Sequence, residues 1–228
     1  MKNSNLEKII VTIRPIWMKL RKFSPKGTHL NLANYRIKDP TVPKIDRFFA
    51  RTRNKLDKPN YEENTIAAIR KYVKNGDRVT IVGGGYGITS IVAMELGGIV
   101  TVIEASKDSI QIIREAWNSF NLKGTLIHGF AGSINSIWGE LGGANKIETI
   151  PDCDILELDC EGAEKDILSN LKIKPNIIIV ESHGNLGSPS TLVKNQLKDL
   201  GYSILEEIAE DIDKDIIVIT GMIENTEL

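Results

Sequence analysis

Seven short apolar runs punctuate the chain from residue 78 onward: Val79 to Val82, Ile99 to Ile103, Thr125 to His128, Ile155 to Leu158, Ile177 to Val180, Ser203 to Glu206 and Ile216 to Thr220. Each is the length of a strand, and several are β-branched throughout, as strands buried on both faces require. Between them, Ile88 to Leu96, Ser109 to Asn118, Glu164 to Leu171 and Thr191 to Leu200 place their apolar residues at helical spacing. Strand alternating with helix predicts a mostly parallel sheet covered by helices. Only Ile208 to Asp215 separates the last two runs, which is too short for a crossover helix. Those two strands should pair antiparallel.

The first third follows another pattern. Leu6, Ile9, Ile10, Ile13, Ile16, Trp17 and Leu20 share a helical stripe over residues 5–23, with Pro15 set to kink or divide it. Residues 24–43 read as irregular, broken by Pro25, Gly27, Asn31, Asn34, Pro40 and Pro43. Two further helices are expected, from Pro43 towards Leu56 and over residues 62–73, where Asn75-Gly76-Asp77 ends the second. The expected division is a basic helical N-terminal extension over 1–60 and an α/β domain over 61–228.

Composition is ordinary for a globular protein, but the charge is lopsided. Residues 1–78 hold 19 Lys and Arg against 7 Asp and Glu, and the remaining 150 hold 10 against 23. The basic third therefore suits an anionic partner such as RNA or a membrane surface, or docking on the acidic domain. Its amphipathic stripe suits burial on its own domain or between copies in a homo-oligomer better than a membrane surface. No apolar run approaches a membrane span. Arg14 and Lys19 interrupt what would be a signal-peptide core, so a cytoplasmic location is expected. Cys153 and Cys160 on one extended segment would lie about 23 Å apart, beyond disulfide reach.

The candidate chemistry gathers at strand ends. Gly83-Gly84-Gly85-Tyr86-Gly87 follows the first sheet strand and precedes a helix, where glycines let the backbone turn sharply and approach a ligand. The next strand ends in Glu104, placed to accept ribose hydroxyls as in dinucleotide sites. A nicotinamide loop would need Ser90 in the third glycine's position, whereas Gly83-x-Gly85-x-Gly87 has the spacing found with S-adenosylmethionine (SAM). A Walker loop is excluded, since no Gly-Lys-Ser/Thr follows. Two later strands end in polar residues, Asp159-Cys160-Glu161-Gly162-Ala163-Glu164 and Glu181-Ser182-His183-Gly184.

Together, Gly83 to Gly87, Glu104, Leu158 to Glu164 and Glu181 to Gly184 resemble the FkbM-type SAM-dependent methyltransferases. The resemblance covers about residues 61–222. It implies a Rossmann-like class I methyltransferase fold: seven strands, mostly parallel, with the last antiparallel. It also implies SAM as cofactor and O-methylation of a small-molecule or glycan-type acceptor. Gly83, Gly85, Gly87, Glu104 and Ala131 would bind the cofactor. His183, Asp159 and Glu161 would be catalytic, with His183 as the base at its ordinary pKa and Glu164 as a helix cap. No metal is assigned, a divalent ion among these acids being the less favoured reading. The chain departs from the family in having Ile81 where an acid usually precedes the loop, and in lacking an acid over residues 128–133. The rival functions are an RNA methyltransferase using the basic third and a non-catalytic SAM-binding or scaffold protein.

Overall fold

A computed structural model describes residues 18, 20–44, 46, 57–133 and 140–224. The chain divides into two compact units, Met1–Tyr61 and Glu62–Leu228.

Among its described residues the first unit contains a small sheet that its sequence did not suggest. Residues 24–43, expected to be irregular, contain β1 (Lys26–Leu32) and β2 (Tyr35–Pro43), paired antiparallel. β3 (Asp57–Lys58) joins β1 in parallel. The supposed breakers have places in this sheet. Ala33 and Asn34 both take positive φ and form the two-residue hairpin turn. Pro40 and Pro43 lie in β2, an edge strand, where a missing amide is tolerated. Of the predicted 5–23 helix, the described residues show helix at Met18 and over residues 20–23. The rest of that helix, and nearly all of the one predicted from Pro43 to Leu56, lies outside the described residues.

The second unit opens with α1 (Glu63–Tyr72) and then alternates as the apolar runs predicted. β4 (Arg78–Val82), α2 (Ile88–Glu95), β5 (Ile99–Glu104), α3 (Lys107–Ser119) and β6 (Thr125–Phe130) form its first half. After the two-residue β7 (Asn145–Lys146) come β8 (Ile155–Leu158), α4 (Glu164–Ser169), β9 (Ile177–His183), α5 (Ser190–Asp199), β10 (Tyr202–Asp211) and β11 (Ile216–Ile223). The sheet order is β10-β11-β9-β8-β4-β5-β6-β7. The seven expected strands are all present, and β7 adds an eighth too short for a hydrophobic pattern to mark. β11 runs antiparallel to both neighbours, as a strand reached without a crossover must.

The core explains the central strands. All four residues of β8 are buried, as are Val79 to Val82 of β4. Leu156, Leu158, Ile178 and Val180 pack on one face with Ile167, Leu168, Val193 and Leu197 of α4 and α5. By the period of two, Glu157, Ile179, Glu181 and His183 belong to the other face. The chain lays β5 and β6 to one side of β4, and β8 and β9 to the other. The order therefore reverses between β4 and β8. At such a point two adjacent strand-end loops diverge and leave a crevice. The loops that open there are Gly83–Gly87 and Asp159–Ala163.

Candidate functional site

The glycine loop sits tightly against its surroundings. Gly83, Gly85 and Gly87 all have positive φ. A side chain on Gly83 would run into the carbonyl of Asp159, and one on Gly84 would meet Val102 and Ile113 at 2.6 and 2.7 Å. Asp159 N–H donates to the Val82 carbonyl at 3.0 Å, so the end of β8 is locked to the start of the loop. These glycines are needed first for packing of strand ends and of α3, and that packing brings the acidic block against the loop.

Glu104 holds the loop from beneath. One carboxylate oxygen accepts from Gly84 N–H at 2.8 Å and Gly85 N–H at 3.1 Å, and the other from Ser106 N–H at 2.6 Å. Burial raises its pKa, against the pull of these amides. Each oxygen can accept further bonds, so a hydroxyl donor remains chemically compatible. The loop leads into α2, whose N-terminus has no side-chain cap. Such an end attracts a carboxylate.

The second cluster centres on His183. Its Nδ1 bonds Glu164 Oε1 at 3.0 Å, and the same oxygen accepts from Cys160 N–H at 2.9 Å and Gly162 N–H at 3.2 Å. Glu164 therefore ties the turn before α4 and fixes the imidazole, whereas the helix cap expected of it is not formed, since α4 has no side-chain cap. His183 Nε2 faces Asp159 Oδ1 at 3.6 Å, Glu181 Oε1 at 3.7 Å and Glu161 Oε2 at 3.9 Å. Glu161 has a φ of 51°, a left-handed conformation that few non-glycine residues adopt.

Electrostatics here revise the expected role of His183. Burial alone would depress its pKa, but the Glu164 bond and the charges of Asp159, Glu164 and Glu181 outweigh that and lift it to about 9. The imidazole expected to titrate near 6.5 thus meets carboxylates that favour its protonated form. Glu164 is the counter-charge: burial would raise its pKa, and His183 brings it below the usual range. Burial and the Asp159 charge push Glu181 up to about 8. Burial and the Glu62 charge push Asp159 well up, although His183 opposes the shift.

The structure brings Asp159, Glu161 and His183 together at one strand edge, and Gly83, Gly85, Gly87 and Glu104 together at its neighbour. Ala131 follows β6 and lines a cavity of about 370 Å³ with Gly132, Ser133, Ile147 and Asp166. None of the other predicted cofactor residues lines that cavity. Sequence reasoning singled out neither Glu181 nor Glu157 for a role. Glu181 shares a sheet face with His183, which strand parity could have shown. Glu157 lies in register with Ile81, so the acid missing from β4 is matched by a buried one on β8. Its Oε2 has no hydrogen-bond partner, and burial with the Asp159 charge raises its pKa strongly.

Comparison with known proteins agrees with this arrangement. Residues 143–204 match the family model described as the methyltransferase FkbM domain, a span that includes the acidic block, β9 and His183. A search of curated proteins found no match. Among solved structures, precorrin-6y C5,15-methyltransferase from Geobacter metallireducens GS-15 is 18% identical, with a TM-score of 0.51 over 72% of this chain and 89% of that one. Ribosomal protein L11 methylase from Lactobacillus delbrueckii subsp. bulgaricus is 15% identical, with a TM-score of 0.53 over 74% and 80%. The fold is that of the class I methyltransferases, and the FkbM segment supports a SAM-dependent enzyme.

Proposed function

We propose that this chain is a SAM-dependent O-methyltransferase for a small-molecule or glycan-type acceptor, with its reaction centre between the glycine loop and the Asp159–His183 cluster. One observation carries the reading: Gly83 abuts the Asp159 carbonyl, so the cofactor loop and the FkbM-type acid block share one crevice.

The residues suit the cofactor's charges. Glu104 can accept ribose hydroxyls while it holds the loop, and the uncapped end of α2 can take a carboxylate. Glu161 lies beside the place where a sulfonium would sit, and a cation there would lower the raised pKa values of Asp159 and Glu181 and so draw out their negative charge. Bound SAM would supply an electrophilic methyl group. The chain must align an acceptor hydroxyl with that methyl and receive the hydroxyl proton. His183 and Asp159 both have raised pKa values, so among the clustered carboxylates the proton falls to Glu161. The imidazolium keeps those carboxylates in place through its charge.

The test is incubation with SAM carrying a trideuterated methyl group and a panel of sugars, glycans and phenolic or polyketide-type alcohols, read by mass spectrometry. A labelled oxygen ether should form, and Glu161→Gln should reduce turnover by about 10²–10⁴-fold. A label found on nitrogen or carbon, or on RNA alone, would overturn the O-directed reading.

A further inference from the structure

We propose that Asp159, Glu181 and His183 form a binding site for one divalent cation, with Glu164 as the group that orients the histidine ligand. The proposal deepens the methyltransferase reading, since its site is the same crevice.

The donor atoms of these three side chains all lie within 4.8 Å of one another. His183 Nε2 stands 3.6 Å from Asp159 Oδ1 and 3.7 Å from Glu181 Oε1, too far for hydrogen bonds. Donors each about 2.1 Å from one ion lie roughly 3.0–4.2 Å apart, so these separations are those of shared ligation. The histidine supplies an independent indication. It is 4% exposed, yet Nε2 makes no hydrogen bond to any described residue and points into the carboxylates. Glu164, 0% exposed, binds the opposite nitrogen at 3.0 Å and sets the ring with Nε2 towards Asp159 and Glu181. A carboxylate behind a histidine whose far nitrogen meets other acids is the usual outer support of a metal ligand. Glu164 is itself tied to the Cys160 and Gly162 amides, so the ring orientation is built into the β8–α4 turn.

One imidazole with two carboxylates suits a first-row ion such as Mn²⁺ or Zn²⁺ better than Ca²⁺, which takes oxygen alone. The ion displaces the imidazolium proton from Nε2 to solvent. In the methyl-transfer reaction it would take the acceptor oxygen and lower the pKa of its hydroxyl. The acceptor proton then passes to Glu161, whose Oε2 lies 3.9 Å from Nε2 but outside the three-ligand set. The O–H bond breaks, the new O–CH₃ bond forms as the S–CH₃ bond breaks, and S-adenosylhomocysteine leaves.

The experiment uses the full chain, stripped of metal with chelator and titrated with Mn²⁺ without SAM or acceptor. Electron paramagnetic resonance should show one saturable site, and electron spin-echo modulation should show a directly coupled imidazole nitrogen. Asp159→Asn and Glu181→Gln should each weaken Mn²⁺ binding at least tenfold. Glu164→Gln should weaken it by about 10–100-fold as an orienting residue, while Glu207→Gln, on β10 and paired with Lys194, leaves it unchanged. The nitrogen modulation should vanish in His183→Gln. Absence of saturable Mn²⁺ and Zn²⁺ binding to the wild-type chain would overturn the proposal, as would affinity unchanged in both carboxylate variants. Because no cofactor is present, either negative result leaves the methyltransferase reading standing. A failed methyl-transfer assay equally leaves the ion site to this test.

Discussion

Glu104 illustrates how a residue can be read correctly for position and incompletely for role. The sequence places it at the end of the strand that follows the glycine loop and its helix, and the structure keeps it there. Its bonds to the Gly84 and Gly85 amides could not be seen from spacing, because they depend on how far the loop folds back over β5. Glu104→Ala should weaken SAM binding by one to two orders of magnitude, given about 1.5–3 kcal/mol for a charge-assisted bond. It should also lower the melting temperature, since it leaves three amides without their acceptor. Calorimetric titration and thermal melts would separate the two effects. His183 shows the same limit more strongly. Its place at the end of the β9 run was legible, but its pKa is set by Glu164 of α4 and by Asp159 and Glu181 at two strand ends. Glu164→Gln removes the buried counter-charge, so it should cost about 3–5 kcal/mol in urea unfolding at pH 7.

At the scale of elements, the seven sheet strands were readable because each is an uninterrupted apolar run between helical stretches. The β1–β2 hairpin was not, because its Pro and Asn residues signal breaks unless the edge position and the Ala33–Asn34 turn are known. The contact between the Gly83 loop and the end of β8 was also invisible, since it joins residues far apart in sequence. Gly83→Ala tests that contact. At a φ of 93° an alanine is strained by about 1–3 kcal/mol, and its methyl must push the Asp159 carbonyl aside. The variant should be less stable by at least that amount in denaturant unfolding. Gly76→Ala, where a side chain meets nothing within 4 Å, carries only the strain of its positive φ and should lose less.

For the whole molecule, the buried acids and histidine tie stability to pH. Glu181 and His183 hold protons more tightly in the folded chain, to about pH 8 and 9, than at their ordinary 4.5 and 6.5. The stability they confer is full below those ordinary values and is lost as pH climbs through 8 and 9. Glu164, lowered, acts in the opposite sense: its contribution is present above its ordinary range and lost as the solution becomes more acid. Metal-free protein should therefore melt at a lower temperature at pH 9 than at pH 6, and equal or rising values would refute the assigned shifts. The division into Met1–Tyr61 and Glu62–Leu228 leads to a further expectation, that residues 62–228 fold alone and keep SAM affinity within about threefold. No described helix is long and apolar enough to cross a membrane. Fold and cofactor class were legible from the strand-helix alternation, the loop spacing and the acid block. The acceptor was not, because acceptor specificity resides in side chains lining a crevice rather than in any periodic pattern. The most direct test of the account is a thermal-shift comparison of the full chain with SAM, S-adenosylhomocysteine, NAD and NADP. SAM and S-adenosylhomocysteine at about 100 times their dissociation constants should each add roughly 2.7 kcal/mol of stability, an effect much reduced in Glu104→Ala. Stabilisation by NAD or NADP with no response to either SAM or S-adenosylhomocysteine would contradict it.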